Sequence, residues 1–316
     1  MLNRRHLRVK VLQSLYAFFQ SGNNDLNAGE KELFHGIEKI LDLYLYQFSL
    51  LSEIHFQEAR NLADNRNKFF PSPDDINPNK RFLENQVLNS IAESKELHSL
   101  CKRRMVTWQG HLDIVRKLLA HLKQQHYFKE YLNQETVNFA EDRDFVVRLV
   151  KKDLFAFELL HSFYEETSIY WIDDWELVNL MMVKTIKAIE PGSPDHGLVL
   201  MDLYKDQEDK IFARELFRRT ILNQKEMDSV ISAKTKNWDI ERIAMMDIII
   251  MKMALTEILK FDEIPVKVSL NEYIELSKMY STPKSNIFVN GILDKLVEEF
   301  TARNQINKHV KGLSEL

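Results

Sequence analysis

Basic side chains are concentrated in the first ten residues of the sequence. Four fixed positive charges lie there, with His6 among them and no acidic residue before Asp25: Arg4, Arg5, Arg8 and Lys10. Such clusters neutralise phosphates, which supply much of the affinity for nucleic acids. At about 100° per helical residue, Arg4 and Arg8 point the same way as the apolar stripe of this segment, so its first turn should extend beyond the core. The pattern predicts a local anion site, and a frayed basic terminus is the alternative.

A second basic run, Lys102-Arg103-Arg104, is followed by Trp108. Positive charge next to an aromatic ring is typical of surfaces that bind single-stranded RNA. A solvated charged helix face explains the same residues without any ligand. The sequence does not decide between these readings, nor whether a ligand here would be RNA or protein.

The sequence offers little chemistry for catalysis. Glu32/His35 and Glu158/His161 have the i, i+3 spacing with which ferritin-like helices hold paired metals, but with 10 histidines in a glutamate-rich chain such pairs arise by chance. Nucleotide-binding glycine motifs and the His-Glu-x-x-His motif are missing. We therefore predict no metal site, no cofactor and no enzymatic activity.

Composition favours an all-α globular protein. Only 8 glycines and 7 prolines occur in 316 residues, of which 45% are hydrophobic and 28% charged, whereas average usage of glycine and proline is about 7% and 5%. The net charge of −4 argues against a protein that coats nucleic acid, so any RNA site must be local.

The same composition predicts a cytoplasmic protein. The single cysteine, Cys101, permits no intrachain disulfide, which fits a reducing compartment. No apolar run approaches the roughly 20 residues that span a bilayer, so we expect no membrane association. The first 22 residues are basic and amphipathic like a transit peptide, but no small-residue cleavage site follows them.

Apolar periodicity predicts helices along almost the whole chain. The first is expected over Arg4 to Gln20, the second from Leu26 to about Phe70, ending at a linker of residues 71–75. A long helix should then start with Asn77 as its cap and continue to about His126. Shorter helices are predicted at 128–140, 143–166 and 174–190, before a second boundary at residues 191–194.

The last third of the chain is also predicted to be helical. Helices are predicted at 207–223, 225–236 and 239–261, the last apolar enough to lie near a core centre. Ser269 to Glu272 has the form of a capping box that would start a helix to about Tyr280, and Thr282-Pro283 would start the final helix to about Arg303. Val266 to Val268 is the one short strand candidate.

Three stretches together resemble the NusB antitermination family. The stretch from Asp262 to Lys278 is similar to the family's signature, and Ser285 to Lys295 continues it. At the other end, Arg4-Arg5-His6-Leu7-Arg8, leading to Leu12-Gln13-Ser14-Leu15-Tyr16, resembles the arginine-rich first helix. The resemblance covers about 1–22 and 205–300, while 23–204 matches nothing in the ordinary family domain.

The resemblance implies an all-helical, non-catalytic protein. Family members bind the boxA RNA element together with the small-subunit ribosomal protein NusE, as part of the RNA polymerase antitermination complex in ribosomal RNA transcription. We therefore expect a NusB-like helical bundle from 1–22 plus 205–303, an inserted helical region at 23–204 and a tail at 304–316. The role of the insertion and the oligomeric state are not indicated.

The resemblance also implies roles for individual residues. The RNA-binding residues would be Arg4, Arg5, Arg8, Lys284, Ser285 and Phe288. Lys284 stands where many family members carry an acid, a departure that should strengthen phosphate contact. Tyr16 and Glu241 match positions that face NusE. Asn271-Glu272 is expected to be structural, since Glu272 would complete the helix cap, and Gly291 is expected to permit close helix packing.

Two alternatives use the same fold. RNA methyltransferases carry such a domain in front of a methyl-donor-binding α/β domain, and no such domain follows residue 300. A helical protein-protein interaction module could instead have kept the fold without RNA binding. Titration with boxA-like RNA separates this module from an antitermination factor.

Overall fold

The computed structural model describes residues 2–22, 24–136, 138–191, 197–235, 243–306 and 308. Within these ranges the chain is helical without a strand, which confirms the all-α prediction. Its helices are α1 Arg4–Gln20, α2 Leu26–Arg66, α3 Pro73–Ile76, α4 Gln86–Ala92, α5 Lys95–Arg104, α6 Leu112–Gln124, α7 His126–Leu132, α8 Phe139–Leu149, α9 Glu158–Thr167, α10 Trp175–Lys187, α11 Gln207–Leu222, α12 Gln224–Lys234, α13 Met245–Lys260, α14 Val266–Tyr280 and α15 Ser285–Ala302. A π-helical turn, Val150–Leu154, and a 3₁₀ turn, Ile169–Trp171, complete them.

The chain divides into two compact units. The terminal unit comprises residues 2–37 and 204–316, and the middle unit comprises residues 38–203. Helix α2 contributes residues to both. No helix in the described ranges is long and apolar enough to cross a membrane.

Helix α13 is the centre of the terminal unit and packs against α1, α11, α12, α14 and α15. All its residues from 249 to 258 are buried, including the charged Lys252 and Glu257. Near one edge, α2 approaches α1 and α11 so closely that a Cβ on Gly29 would lie 2.7 Å from Phe18 and 2.9 Å from Phe217. A glycine is required there.

Aromatic side chains form the core of the middle unit. The ring of Tyr46 contacts those of Trp108, Phe163, Tyr164 and Trp171 at centroid distances of 5.4 to 6.3 Å. Both tryptophans also donate to the α2 backbone, since Trp108 Nε1 lies 3.2 Å from the Tyr46 carbonyl and Trp171 Nε1 lies 2.7 Å from that of Lys39. These bonds satisfy the indole groups inside the core.

The long helix predicted from Asn77 to His126 is wrong. Ser94 caps a new helix there by accepting a hydrogen bond from the Leu97 N–H, and Met105 ends that helix in the left-handed region at φ 57°. Gly110, at φ 99°, adds a further break before α6. Apolar periodicity continued across these breaks because every one of the short helices buries one face.

Other predicted helix boundaries also differ from those in the structure. The expected linker at 71–75 contains α3, which Ser72 and Asp75 cap reciprocally. Val266 to Val268 is the first turn of α14 and not a strand. The final helix begins at Ser285, two residues after the predicted proline start. The predicted boundary at 191–194 and the first residues of the helix predicted at 239–261 lie largely outside the described residues.

Candidate functional site

Arg8 and Glu257 form a buried ion pair between α1 and α13. The Arg8 Nε and Nη2 atoms each lie 2.8 Å from one Glu257 oxygen, with side chains 4% and 0% exposed. Ser269 Oγ and Tyr273 OH of α14 donate to the same carboxylate at 2.7 and 2.9 Å. Four hydrogen bonds on one carboxylate therefore join three helices.

The electrostatics of this cluster favour the charged form of Arg8. Burial disfavours the charge on Arg8, but the hydrogen bonds that Arg8 donates to Glu257 and the nearby carboxylates outweigh it, so the pKa of the guanidinium is raised. Burial, followed by the charge of Glu257, raises the pKa of Tyr273, which stays a hydrogen-bond donor. Arg8 is therefore a fixed, permanently charged part of the helix interface.

Arg5 lies closer to solvent and pairs with Glu272 of α14. Its Nε and Nη2 atoms are 2.9 and 2.6 Å from the two carboxylate oxygens, and Arg8 Nη1 is 3.7 Å away. The hydrogen bond from Arg5 lowers the pKa of Glu272. The predicted capping box is wrong, because α14 starts at Val266 and Glu272 binds arginine.

Arg4 is held more loosely than the other two arginines. Its nearest carboxylates, on Asp209 and Glu263, lie at 3.6 and 3.8 Å, beyond the length of a good hydrogen bond. The guanidinium also lies over the Phe212 ring, 5.0 Å from its centroid. Most of its donors therefore stay available to an incoming anion.

The three arginines line an open hollow of about 490 Å³, together with residues at the start of α14. No acidic residue precedes Asp25 in the sequence, but the fold brings acids to these arginines. Acidic partners come from α11, α13, α14 and the loop before α14, all distant in sequence. The hollow is therefore a mixed-charge site with surplus donors.

Lys308, in the C-terminal tail, lies at the same end of α13. Its Nζ donates to the Glu257 and Phe261 carbonyl oxygens at 3.1 and 2.6 Å. Burial lowers the pKa of this lysine. A cation on the last carbonyls of a helix is favourable, so Lys308 stabilises the helix end that carries Glu257.

The second group of predicted RNA contacts lies at the start of α15. Lys284 is exposed and Phe288 is half-buried. Ser285 is buried, and its Oγ donates to Asp247 Oδ2 of α13 at 2.7 Å. Ser285 therefore fixes the loop to α13, and Lys284 is the most accessible of the three.

The two groups lie at opposite ends of α13. Arg8 contacts this helix at Glu257 and Ser285 contacts it at Asp247, ten residues away. A rise of 1.5 Å per residue separates these positions by about 15 Å along the axis. The structure thus brings Arg4, Arg5 and Arg8 together and places the Lys284 group about 15 Å away along this helix.

The predicted partner-binding residues are only partly described. Tyr16 is 38% exposed on α1, so its ring is accessible. Glu241 lies outside the described residues. That Tyr16 and Glu241 face NusE stays a prediction.

Gly291 does not serve close helix packing, contrary to expectation. It is exposed in α15, and a Cβ added there would meet no atom within 4 Å. The position follows Phe288 by three residues, on the same side of the helix.

The basic run in the middle unit lacks the aromatic partner that the sequence suggested. Trp108 is only 1% exposed, so its ring cannot stack on a base. Arg104 is paired with Asp42 and Glu38. Lys102 and Arg103 are exposed at the end of α5, where cations also favour the helix terminus.

Neither Glu-x-x-His pair belongs to a metal cluster. Across the described ranges, no three His, Cys, Asp or Glu side chains are placed to hold a metal ion. His161 Nε2 lies 2.7 Å from the Phe155 carbonyl oxygen, and its ring is 4.8 Å from that of Trp175. This histidine is part of an aromatic cluster.

Glu257 was not predicted to belong to the site, although the sequence contains a signal for it. Glu257 lies in the buried, mostly apolar part of α13, and a buried carboxylate needs a cation, because an isolated buried charge is strongly unfavourable. Arg8, on the apolar stripe of α1, was the matching residue.

Comparisons with known proteins find relatives of this chain in one family. The model of the NusB family matches residues 179–298. The transcription antitermination protein NusB of Salinibacter ruber is 41% identical over 137 residues, 42% of this chain and 86% of the relative. The protein of the same name from Chloroherpeton thalassium is 38% identical over 120 residues, 38% of this chain and 57% of the relative.

A third relative, the NusB protein of Natranaerobius thermophilus, is 42% identical over 90 residues, 28% of this chain and 60% of the relative. The chain thus spans less than two thirds of the second and third relatives but most of the first. No solved structure matches the chain.

Proposed function

This chain belongs to the NusB family, and we propose from that premise that it is a non-catalytic antitermination factor. It binds boxA-type single-stranded RNA together with the ribosomal protein NusE, within the RNA polymerase antitermination complex. Three matched relatives bear the name transcription antitermination protein.

The observation that carries the proposal is the open hollow beside Arg4 and Arg5. A guanidinium has five N–H donors, and Arg5 uses only two on Glu272. Arg4 has no short hydrogen bond to its acids. A phosphate in the hollow would therefore find free donors without displacing the buried Arg8–Glu257 pair.

The RNA strand would extend from this hollow to the Lys284 group. The separation of about 15 Å along α13 is then the minimum distance that the bound strand must span. Lys284 would contact a phosphate and Phe288 would stack on a base, a contribution of about 1 to 3 kcal/mol. Arg8 and Ser285 are buried, so their role would be to position these contacts.

The salt dependence of RNA affinity tests the proposal. Each phosphate contact to a single strand adds about 0.7 to the slope of log K against log salt. We expect Arg4→Ala with Arg5→Ala to weaken binding of a boxA-like RNA and to lower the slope by about 1.4. Lys31→Ala with Lys225→Ala is a matched control, since both lysines are exposed in the terminal unit.

A specific observation favours one alternative, an interaction module that does not bind RNA. The acids around the basic cluster already balance its charge. Absence of RNA binding by the wild type, even with NusE present, would favour that module and refute the proposed RNA site.

A further inference from the structure

The middle unit contains a segment with a one-sided charge composition. Residues 153–183 include seven acidic residues and neither lysine nor arginine. The segment covers α9, the 3₁₀ turn and α10 up to Val183. A strongly acidic stretch within a folded unit repels RNA and attracts basic partners.

Large apolar side chains are exposed among these acids. Ile169 is 77% exposed, Ile172 58% and Leu180 62%. Glu176 and Leu180 are four residues apart and so share one side of α10, and Ile172 lies in the turn just before this helix. We call the following six exposed side chains the α9–α10 face: Glu165, Glu166, Ile169, Ile172, Glu176 and Leu180.

The carboxylates of this face pair with no cation among the described residues. Glu165, Glu166 and Glu176 form no ion pair or hydrogen bond with any side chain in the described part of the chain. Other acids of the same unit are neutralised internally, as Glu58 is by Lys123 at 2.5 Å. The negative charge of the face is therefore not neutralised within the described part of the chain.

Buried tryptophans anchor the backbone under the face. Trp171 is buried against Tyr46 and Tyr164, and its indole donates to the Lys39 carbonyl. Trp175 packs on Tyr164 with ring centroids 4.9 Å apart and donates to the Phe155 carbonyl at 3.3 Å. A preformed surface loses less conformational entropy when it binds.

We propose that the α9–α10 face docks a lysine- and arginine-rich amphipathic helix of a partner protein. Ile169, Ile172 and Leu180 receive the apolar side of that helix, and the unpaired glutamates attract its basic side. Complementary charge speeds encounter and selects partners, while the buried apolar side chains give most of the affinity. All but Leu180 lie outside the family match of 179–298, so the interaction is separate from the proposed RNA site.

A labelled peptide tests this proposal on the full chain. The probe is a fluorescein-labelled 18-residue helix with leucine on one side and lysine on the other, followed by anisotropy at two salt concentrations. We expect Glu165→Lys with Glu166→Lys, and separately Ile169→Ser with Ile172→Ser, to weaken binding about tenfold or more. All four positions are exposed, and circular dichroism checks that each variant is folded.

The matched control is Glu84→Lys with Glu135→Lys, which changes two other exposed acids of the same unit. It should bind the peptide as the wild type does, and a peptide with glutamate in place of lysine should not bind. The proposal is overturned if all variants bind equally, or if the glutamate peptide binds as well. Binding of an RNA oligonucleotide at this face, or self-association lost with the two serines, would also refute it.

Discussion

Arg8 and Glu257 are stable inside the protein only as a pair. Removing one member of a buried, hydrogen-bonded ion pair leaves an uncompensated charge and reduces stability by about 3 to 5 kcal/mol. An exposed pair contributes about 0 to 1 kcal/mol, because solvent screens it and both side chains lose entropy. The adjacent pairs Arg8–Glu257 and Arg5–Glu272 represent these two cases.

We predict that Glu257→Ala lowers the free energy of unfolding by about 3 to 5 kcal/mol. Arg8→Ala should have a similar effect, and the double variant should lose less than the sum of the two. Urea unfolding measures all three, with Arg5→Ala, expected to lose less than about 1 kcal/mol, as the control. Additive losses from Arg8→Ala and Glu257→Ala would contradict the buried pair.

His6 provides a pH-dependent prediction. Burial and the neighbouring Arg5 lower the pKa of His6 below its usual 6.5, so the unfolded chain binds this proton more readily than the folded chain. Stability is then fully present above pH 6.5 and falls as the pH drops towards the folded-state pKa.

In the first turn of α1, neutral His6 Nδ1 accepts a hydrogen bond from the Asn3 N–H. Glutamine can make that bond without titrating, so His6→Gln should be the more stable protein at pH 5.5 and differ less at pH 7.5. Thermal unfolding at the two values measures the difference. An equal difference in stability between the two proteins at both pH values would show that protonation of His6 is not coupled to folding.

At the scale of elements, two glycines in helices have opposite surroundings. A Cβ on Gly29 would overlap the rings of Phe18 and Phe217, whereas one on Gly291 would meet open space. Helix propensity alone favours alanine over glycine by up to about 1 kcal/mol. Overpacking opposes that gain by about 1 to 3 kcal/mol.

We therefore expect Gly29→Ala to lower and Gly291→Ala to raise the midpoint of chemical unfolding. The two substitutions are chemically identical, so each is the control for the other. If Gly29→Ala were neutral, the close approach of α2 to α1 and α11 would be in doubt.

Helix boundaries were predictable from the sequence where a single sequence feature determined them. Helix α1 was predicted at its observed bounds because its apolar stripe ends at Ser21-Gly22. The breaks between α4, α5 and α6 were missed, because Ser94 and Met105 act through local caps and backbone angles that apolar periodicity does not reveal. In the candidate site, the basic residues were found but their acids were not, since each pair joins residues distant in sequence. The assignment of RNA contacts and of domain limits stays a prediction.

At the scale of the whole molecule, each unit has its own core, so the two should differ in stability. Trp108, Trp171 and Trp175 are buried in the middle unit, so tryptophan fluorescence chiefly follows that unit, whereas circular dichroism follows helices throughout. We predict that Glu257→Ala moves the dichroism curve to lower urea and leaves the fluorescence transition nearly unchanged. Equal displacement of both curves would indicate that the chain unfolds as a single cooperative body.

Helix α13 fixes the distance between the arginine hollow and the Lys284 loop. Because a buried helix neither stretches nor bends easily, it sets the minimum length of RNA that can reach both groups of proposed contacts. Oligonucleotides too short to span this distance would occupy one end or the other but not both. Affinity should therefore rise stepwise with RNA length at that threshold, and inserting one helical turn into α13 would move the step to longer RNA.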